Sequence, residues 1–128
     1  MVVSVRFCIG LVLVALVSAT SACTHGEADA MALTHGGDAA RGKELIRSYG
    51  CGSCHTIPRV TGAEAIVGPS LQGEATRAYI AGVLPNVPEN MIRWIMNPPG
   101  VDDKTAMPNL HVTATDARDI AAYIYTLQ

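Results

Sequence analysis

The sequence predicts a single small all-α domain behind an amino-terminal leader, and three observations favour this fold class. Apolar residues near the carboxyl end recur at the i, i+3, i+4, i+7 spacing of one helix face. No segment shows the sustained alternation of apolar and polar residues that a half-buried strand requires. Residues 38–128 also contain no phenylalanine, one tryptophan and four tyrosines, which are few large groups for a protein core.

Residues 1–22 have the pattern of a bacterial secretory signal peptide. Arg6 precedes an apolar run at 7–17, and small residues follow as far as Ala22. The run is too short to favour a permanent membrane-spanning helix. The sequence therefore predicts export to the periplasmic side.

The residue after this leader is a cysteine. Ser21-Ala22-Cys23 resembles the end of a bacterial lipoprotein signal, in which the cysteine is lipidated, although Thr20 stands where leucine is usual. Ordinary cleavage after Ala19 or Ala22 is the alternative, but it would leave Cys23 as an unpaired thiol in an oxidising compartment. The sequence therefore favours a lipid anchor on Cys23.

Residues 23–37 show no apolar periodicity and are predicted to be a flexible tether, so the folded domain is expected at 38–128. Asp38 is a favourable N-cap for a first helix through about Tyr49. Gly42 in the middle of this helix costs about 1 kcal/mol relative to alanine, which is reasonable if another helix approaches closely there.

Three further helices are predicted downstream. Residues 75–84 form one that Pro85 stops, and residues 88–96 form another that ends before Pro98. The last helix begins at Thr113 with a capping box. Its apolar face comprises Ala117, Ile120, Ala121, Ile124 and Leu127.

The segment Cys51-Gly52-Ser53-Cys54-His55 follows the first helix. Two cysteines three residues apart, with a histidine directly after the second, are the pattern by which c-type haem is attached covalently. Each thiol adds to one vinyl group, and residues i and i+3 of a helical turn lie about 5–6 Å apart, so both can reach one porphyrin edge. His55 then falls beneath the iron, where an imidazole nitrogen can be the proximal ligand.

Other interpretations of this motif are weaker. A thioredoxin-like dithiol needs a strand that leads into the motif, whereas residues 45–50 continue a helical pattern. A structural zinc site normally takes four ligands, and the sequence has no second cysteine or histidine pair. Two buried cysteines with a satisfied histidine remain the alternative without a cofactor.

Two later positions are candidates to complete the site. A ligating histidine usually donates its other ring N–H to a carbonyl or carboxylate, and the Pro69 carbonyl is the expected acceptor. Met107 lies in an irregular segment that a core residue would not need, so it is the predicted sixth ligand, and a methionine thioether raises the reduction potential. His111 is the second choice.

The order of these features carries a family resemblance. In sequence they are Gly42, Cys51-x-x-Cys54-His55, Gly68-Pro69-x-Leu71, Trp94-Ile95 with Pro98, Met107-Pro108, and Ala122-Tyr123. Over residues 38–128 the chain resembles class I monohaem cytochrome c. This resemblance implies four or five helices around one covalently bound haem c, with Gly42 and Ile46 crossing the last helix. Residues 77–128 also look like the cytochrome c domain of subunit II in some bacterial caa3-type oxidases, of which only the haem role is expected to carry over.

The predicted function is electron transfer between redox proteins, with a membrane oxidase or reductase as partner. The alternatives are a permanently docked haem subunit and, less favoured, a ligand sensor in which Met107 dissociates from the iron. Trp94 and Arg59 are candidates to contact the haem propionates. The net charge of −2 comes without a basic stripe or a polybasic patch, so neither nucleic acid nor anionic lipid is an expected partner.

Overall fold

A computed structural model describes residues 24–128, which form four α-helices and one short β-ribbon. The helices are α1 (Thr24–Leu33), α2 (Ala39–Ser48), α3 (Pro88–Met96) and α4 (Ala114–Tyr125), and the ribbon pairs β1 (Tyr79–Ile80) with antiparallel β2 (Leu84–Pro85). The predicted signal peptide and Cys23 lie outside the described residues. Within residues 24–128, no helix is long and apolar enough to cross a membrane.

Helices α2 and α4 begin where the sequence predicts. The Asp38 side chain accepts a hydrogen bond from the Arg41 amide at 3.0 Å, and the Thr113 hydroxyl accepts one from the Asp116 amide at 3.2 Å. These contacts satisfy amide groups that the first turn of a helix leaves unpaired. Gly50, at a φ of 73°, takes the left-handed conformation that follows the end of α2.

Helices α2 and α4 cross at Gly42, as the family resemblance implied. A methyl group added to Gly42 would lie 2.0 Å from the Asp119 carbonyl oxygen, so only glycine permits this approach. Ile46 and Ile120 are buried at the crossing, at 0% and 2% exposure. The cost of glycine in a helix is therefore offset by close packing of two helices.

Ion pairs and hydrogen bonds stabilise one side of the same crossing. The Arg41 guanidinium pairs with the carboxylates of Asp116 and Asp119, and Asp119 also accepts a hydrogen bond from the Asp38 amide at 2.9 Å. The Tyr49 hydroxyl donates to Asp116 at 2.7 Å. That hydrogen bond, followed by the one from Arg41, holds the pKa of Asp116 below its usual range.

The helix predicted at 75–84 is wrong. This segment forms a 3-10 turn at Glu74–Thr76 and then the β-ribbon. Ala81 and Gly82 have φ values of 49° and 75°, and this left-handed pair turns the chain so that Ile80 pairs with Leu84. A single glycine inside a weak helical pattern was the signal for the turn.

The prediction of a flexible tether at 23–37 is also corrected, because helix α1 occupies most of it. Ala30, 1% exposed, packs against the domain, and the buried Thr34 hydroxyl donates to the Ala30 carbonyl at 2.7 Å. Thr34 in turn accepts a hydrogen bond from the Gly37 amide. Periodicity did not reveal α1 because its larger apolar side chains, Met31 and Leu33, are both 52% exposed.

Gly42→Ala is expected to destabilise the domain. Its methyl group would overlap the Asp119 carbonyl, and overpacking of this kind costs about 1–3 kcal/mol, against a helix-propensity gain of about 1 kcal/mol. Because the overlap is with backbone at 2.0 Å, the cost lies at the upper end of this range, and we expect a net loss of about 2 kcal/mol, seen as a lower urea midpoint of the holoprotein. Gly26→Ala on α1 is the control, since nothing lies within 4 Å of its added methyl group. An unchanged midpoint for Gly42→Ala would contradict the close crossing.

Candidate functional site

The cysteine motif lies on a 3-10 turn directly after α2. The Cys54 and His55 amides both donate to the Cys51 carbonyl, at 3.2 and 3.0 Å. One carbonyl oxygen therefore accepts both hydrogen bonds that close the turn. Both thiols are half-buried and neither is in a disulfide. Burial raises the pKa of the Cys51 thiol, so it carries its proton at neutral pH.

This local structure disfavours the competing interpretations of the motif. Helix α2, and not a strand, leads into it, which is contrary to a thioredoxin-like βαβ unit. Within the described part of the chain, no group of three or more His, Cys, Asp or Glu side chains is placed to hold a metal ion. A structural zinc site at Cys51 and Cys54 would therefore lack ligands.

The His55 ring is oriented by a backbone carbonyl. Its Nδ1 lies 2.7 Å from the Pro69 oxygen, which is the hydrogen bond predicted from the sequence. A carbonyl oxygen only accepts, so Nδ1 holds the proton and Nε2 keeps its lone pair. Nε2 of His55 is therefore the ring atom that can ligate a metal.

Gly68 fixes the position of the same ring. A Cβ at Gly68 would lie 2.5 Å from Cε1 and 2.8 Å from Nδ1 of His55, so the glycine backbone packs directly on the imidazole. The Gly68 amide also donates to the Cys54 carbonyl at 2.7 Å. Gly68 belongs to the family pattern in the sequence, but only the folded chain shows that its missing side chain makes room for the ring.

Met107 is half-buried in the loop that follows α3. Its amide donates to the Thr105 hydroxyl at 3.2 Å, and Asn109 donates to the Asn97 side chain at 3.1 Å, so the loop is tied to the end of α3. His111, the second candidate for this ligand position, is exposed.

The two candidates for propionate contacts have different surroundings. Trp94 is 8% exposed and belongs to the apolar core. Arg59 instead donates to the carbonyl and hydroxyl of Thr126, at 3.1 and 3.0 Å, and lies 5.8 Å from the centre of the Tyr123 ring. The structure thus places Arg59 against the end of α4, and its role at the haem stays a prediction.

The residues present fit a covalently bound haem. Two free thiols on one turn, and a histidine whose Nε2 lone pair is available, are the groups that such a cofactor needs. Partly exposed apolar side chains also pack against the core and offer surface for a flat apolar group; they include Leu71, Leu84, Met96, Met107 and Leu110.

The all-α fold and this turn define a small protein that attaches haem through two thioether bonds. The family model for cytochrome c matches residues 39–128, and the chain belongs to this family. The resemblance noted from the sequence, the fold class and the covalent haem c are confirmed. Haem-based electron transfer is the activity of the family, and Cys51 and Cys54 fit its attachment motif.

Two curated relatives extend this comparison. "Cytochrome c oxidase subunit 2" of Alkalihalophilus pseudofirmus is 29% identical over 91 residues, which cover 70% of this chain and 26% of the relative. The protein of the same name from Bacillus subtilis is 30% identical over 89 residues, which cover 68% of this chain and 25% of the relative. The chain spans about a quarter of the length of these relatives.

Gly68→Ala is expected to displace His55. The new methyl group would overlap the ring and lengthen the hydrogen bond to Pro69, so Nε2 would be less well placed to ligate a haem iron. We expect a larger high-spin fraction in the electron paramagnetic resonance spectrum and a loss of about 1–3 kcal/mol of stability. Val67→Ala, at a neighbouring position that is 79% exposed, should leave both unchanged. A wild-type spectrum for Gly68→Ala would show that the ring does not depend on this contact.

Proposed function

We propose that this chain is an exported electron carrier in a bacterial respiratory chain, with one haem attached through Cys51 and Cys54 and with His55 and Met107 as the axial ligands of its iron. The observation that carries the proposal is the orientation of His55, whose Nδ1 proton is held by Pro69 while Nε2 remains available. The bound haem supplies one-electron chemistry between ferric and ferrous iron.

The chain's own residues have distinct tasks in this function. Pro69 fixes the tautomer and orientation of His55, and a histidine that donates to a carbonyl is a stronger ligand. Trp94 and the core around it exclude water from the interior, which favours the less charged, reduced iron. Ligation by both His55 and Met107 would leave the iron no open position for substrate, so electron transfer is the function that this arrangement supports.

The choice of Met107 rests on the positions of the other described methionines. Met91 is 2% exposed within α3, and Met31 lies on α1 with half of its surface exposed. Met96 is half-buried at the end of α3 and is therefore the relevant competitor. Met107 differs from Met96 because it lies in a loop whose shape is held by side-chain hydrogen bonds and not by helix geometry.

Met107→Ala is expected to convert the ferric protein to a high-spin or ligand-exchanged state, because the thioether sulfur is removed. The expected readout is loss of the sulfur-to-iron absorption band and a lower reduction potential. Met96→Ala is the matched control and should retain the band. If Met107→Ala keeps an unchanged low-spin spectrum while Met96→Ala loses it, the ligand assignment is wrong.

The proposed location is the periplasmic side of the membrane, with residues 1–22 removed and Cys23 lipidated. Residues 1–23 lie outside the described part of the structure, so the support for this proposal comes from the sequence pattern alone. Because α1 packs on the domain, the anchored protein would hold the haem domain close to the membrane and not at the end of a long coil. Metabolic labelling with radioactive palmitate tests the anchor, and an unlabelled protein would exclude it.

The proposed partner is a respiratory oxidase, because both curated relatives are named as oxidase subunits. The same observation supports a second candidate function, that of a permanently docked haem subunit. The two differ in whether the protein leaves the complex between electron transfers.

Rapid mixing of the holoprotein with membranes from its own cell is expected to accelerate its oxidation, and an oxidase inhibitor should abolish this acceleration. For a mobile carrier, the rate should saturate with added protein, since binding and release both occur in each cycle. Co-purification with the oxidase at a fixed ratio would instead support the docked subunit. No acceleration by any respiratory complex would contradict the proposed function.

A further inference from the structure

Glu74 is a buried carboxyl group that the proposed electron-transfer function does not use. The residue is 6% exposed, and its Oε2 has no hydrogen-bond partner among the described residues. Arg77 Nη1 lies 2.7 Å from Oε2, so the two form an ion pair without the alignment of a hydrogen bond. Burial of a carboxylate with so little hydrogen bonding is costly, and a functional reason is worth seeking.

The location of Glu74 connects it to the haem-binding segment. It begins the 3-10 turn of the loop that also carries Pro69. Its ion-pair partner Arg77 donates through Nη2 to the Ser70 carbonyl at 3.0 Å, one residue from the carbonyl that orients His55. The carboxyl group is therefore held in the loop that positions the axial histidine.

A second set of contacts holds the same turn from the other side. The Glu74 amide donates to the Leu71 carbonyl at 3.3 Å, and the Leu71 amide donates to the Thr56 carbonyl at 3.0 Å, directly after His55 in the chain. Asn86 donates to the Glu74 carbonyl at 2.7 Å. The backbone of Glu74 is thus held to the segment that follows His55 by hydrogen bonds.

Three ionisable groups face Glu74. Burial raises the pKa of Glu74, while the positive charge of Arg77 offsets part of the rise. A haem iron held by His55 would add to that positive charge. Tyr125 of α4 is kept neutral, because burial, with the charges of Glu89 and Glu74, raises its pKa to about 12. In this set, Glu74 is consequently the carboxyl group whose pKa is moved toward neutral pH.

We propose that Glu74 is a redox-linked proton site, which takes up a proton when the haem is reduced and releases it when the haem is oxidised. On reduction, one electron arrives from a redox partner protein and one proton arrives from solvent to give the carboxylic acid; oxidation returns both. Reduction removes one positive charge near the carboxylate, so the proton is bound more tightly. By linkage, an ionised Glu74 favours the oxidised protein to the same extent. This inference rests on the proposed ligation by His55.

The test is a pH titration of the reduction potential of the holoprotein. The wild-type potential should fall as the pH rises through the titration of Glu74 and level off on either side. Glu74→Gln should remove this step and, at the alkaline end, have a higher potential than the wild type. Glu64→Gln, at an exposed carboxylate, is the control and should behave as the wild type does. An unchanged step in Glu74→Gln would overturn the proposal and assign the step to other groups, such as the haem carboxylates.

A second measurement uses the wild-type protein alone, in case Glu74→Gln folds poorly. Carboxyl-carbon NMR of Glu74 should give a higher pKa in the reduced protein than in the oxidised protein. Equal values in the two states would overturn the inference even if the variant cannot be prepared. If the wild-type spectrum lacks histidine and methionine ligation, the proposed function fails; if that ligation is present but no proton is linked to it, only this inference fails.

Discussion

The close crossing of α2 and α4 at Gly42 is the contact on which the rest of the structure depends. Without a side chain at Gly42, the two helix backbones approach until its Cα faces the Asp119 carbonyl, and Ile46 and Ile120 fill the space beside it. This brings the two ends of the domain, separated by more than seventy residues, into one core. Arg41 helps to orient the two helices at the edge of the crossing, because its guanidinium links the start of α2 to two carboxylates of α4.

The crossing also positions the haem-binding turn from both sides. Helix α2 leads directly into the turn, and the end of α4 holds the loop that follows it. The Tyr123 hydroxyl donates to the Pro58 carbonyl at 2.8 Å, and the Gly73 amide donates to the Leu127 carbonyl at 2.8 Å. The loop that presents Pro69 to the histidine is therefore held at one end by the last helix and at the other by the residue Leu127 that follows it.

The predictable parts of the fold are those that local chemistry controls. The N-caps at Asp38 and Thr113, the apolar face of α4 and the end of α3 before Pro98 follow from side chains a few residues apart. The predictions for two segments are wrong, and each has a physical reason. Helix α1 is stabilised by burial of the small Ala30, which gives no apolar stripe, and residues 75–84 turn at Ala81-Gly82 although their composition tolerates a helix.

The sequence by itself determined the covalent chemistry, because the spacing of Cys51, Cys54 and His55 is a property of one helical turn and needs no distant residue. Tertiary structure alone decided how that chemistry is controlled. The contact of Gly68 with the imidazole and the burial of Glu74 depend on loops that long-range contacts bring together, and sequence spacing does not report burial or electric field. The haem-attachment motif is therefore a local sequence pattern, whereas the contacts that surround it exist only in the folded chain.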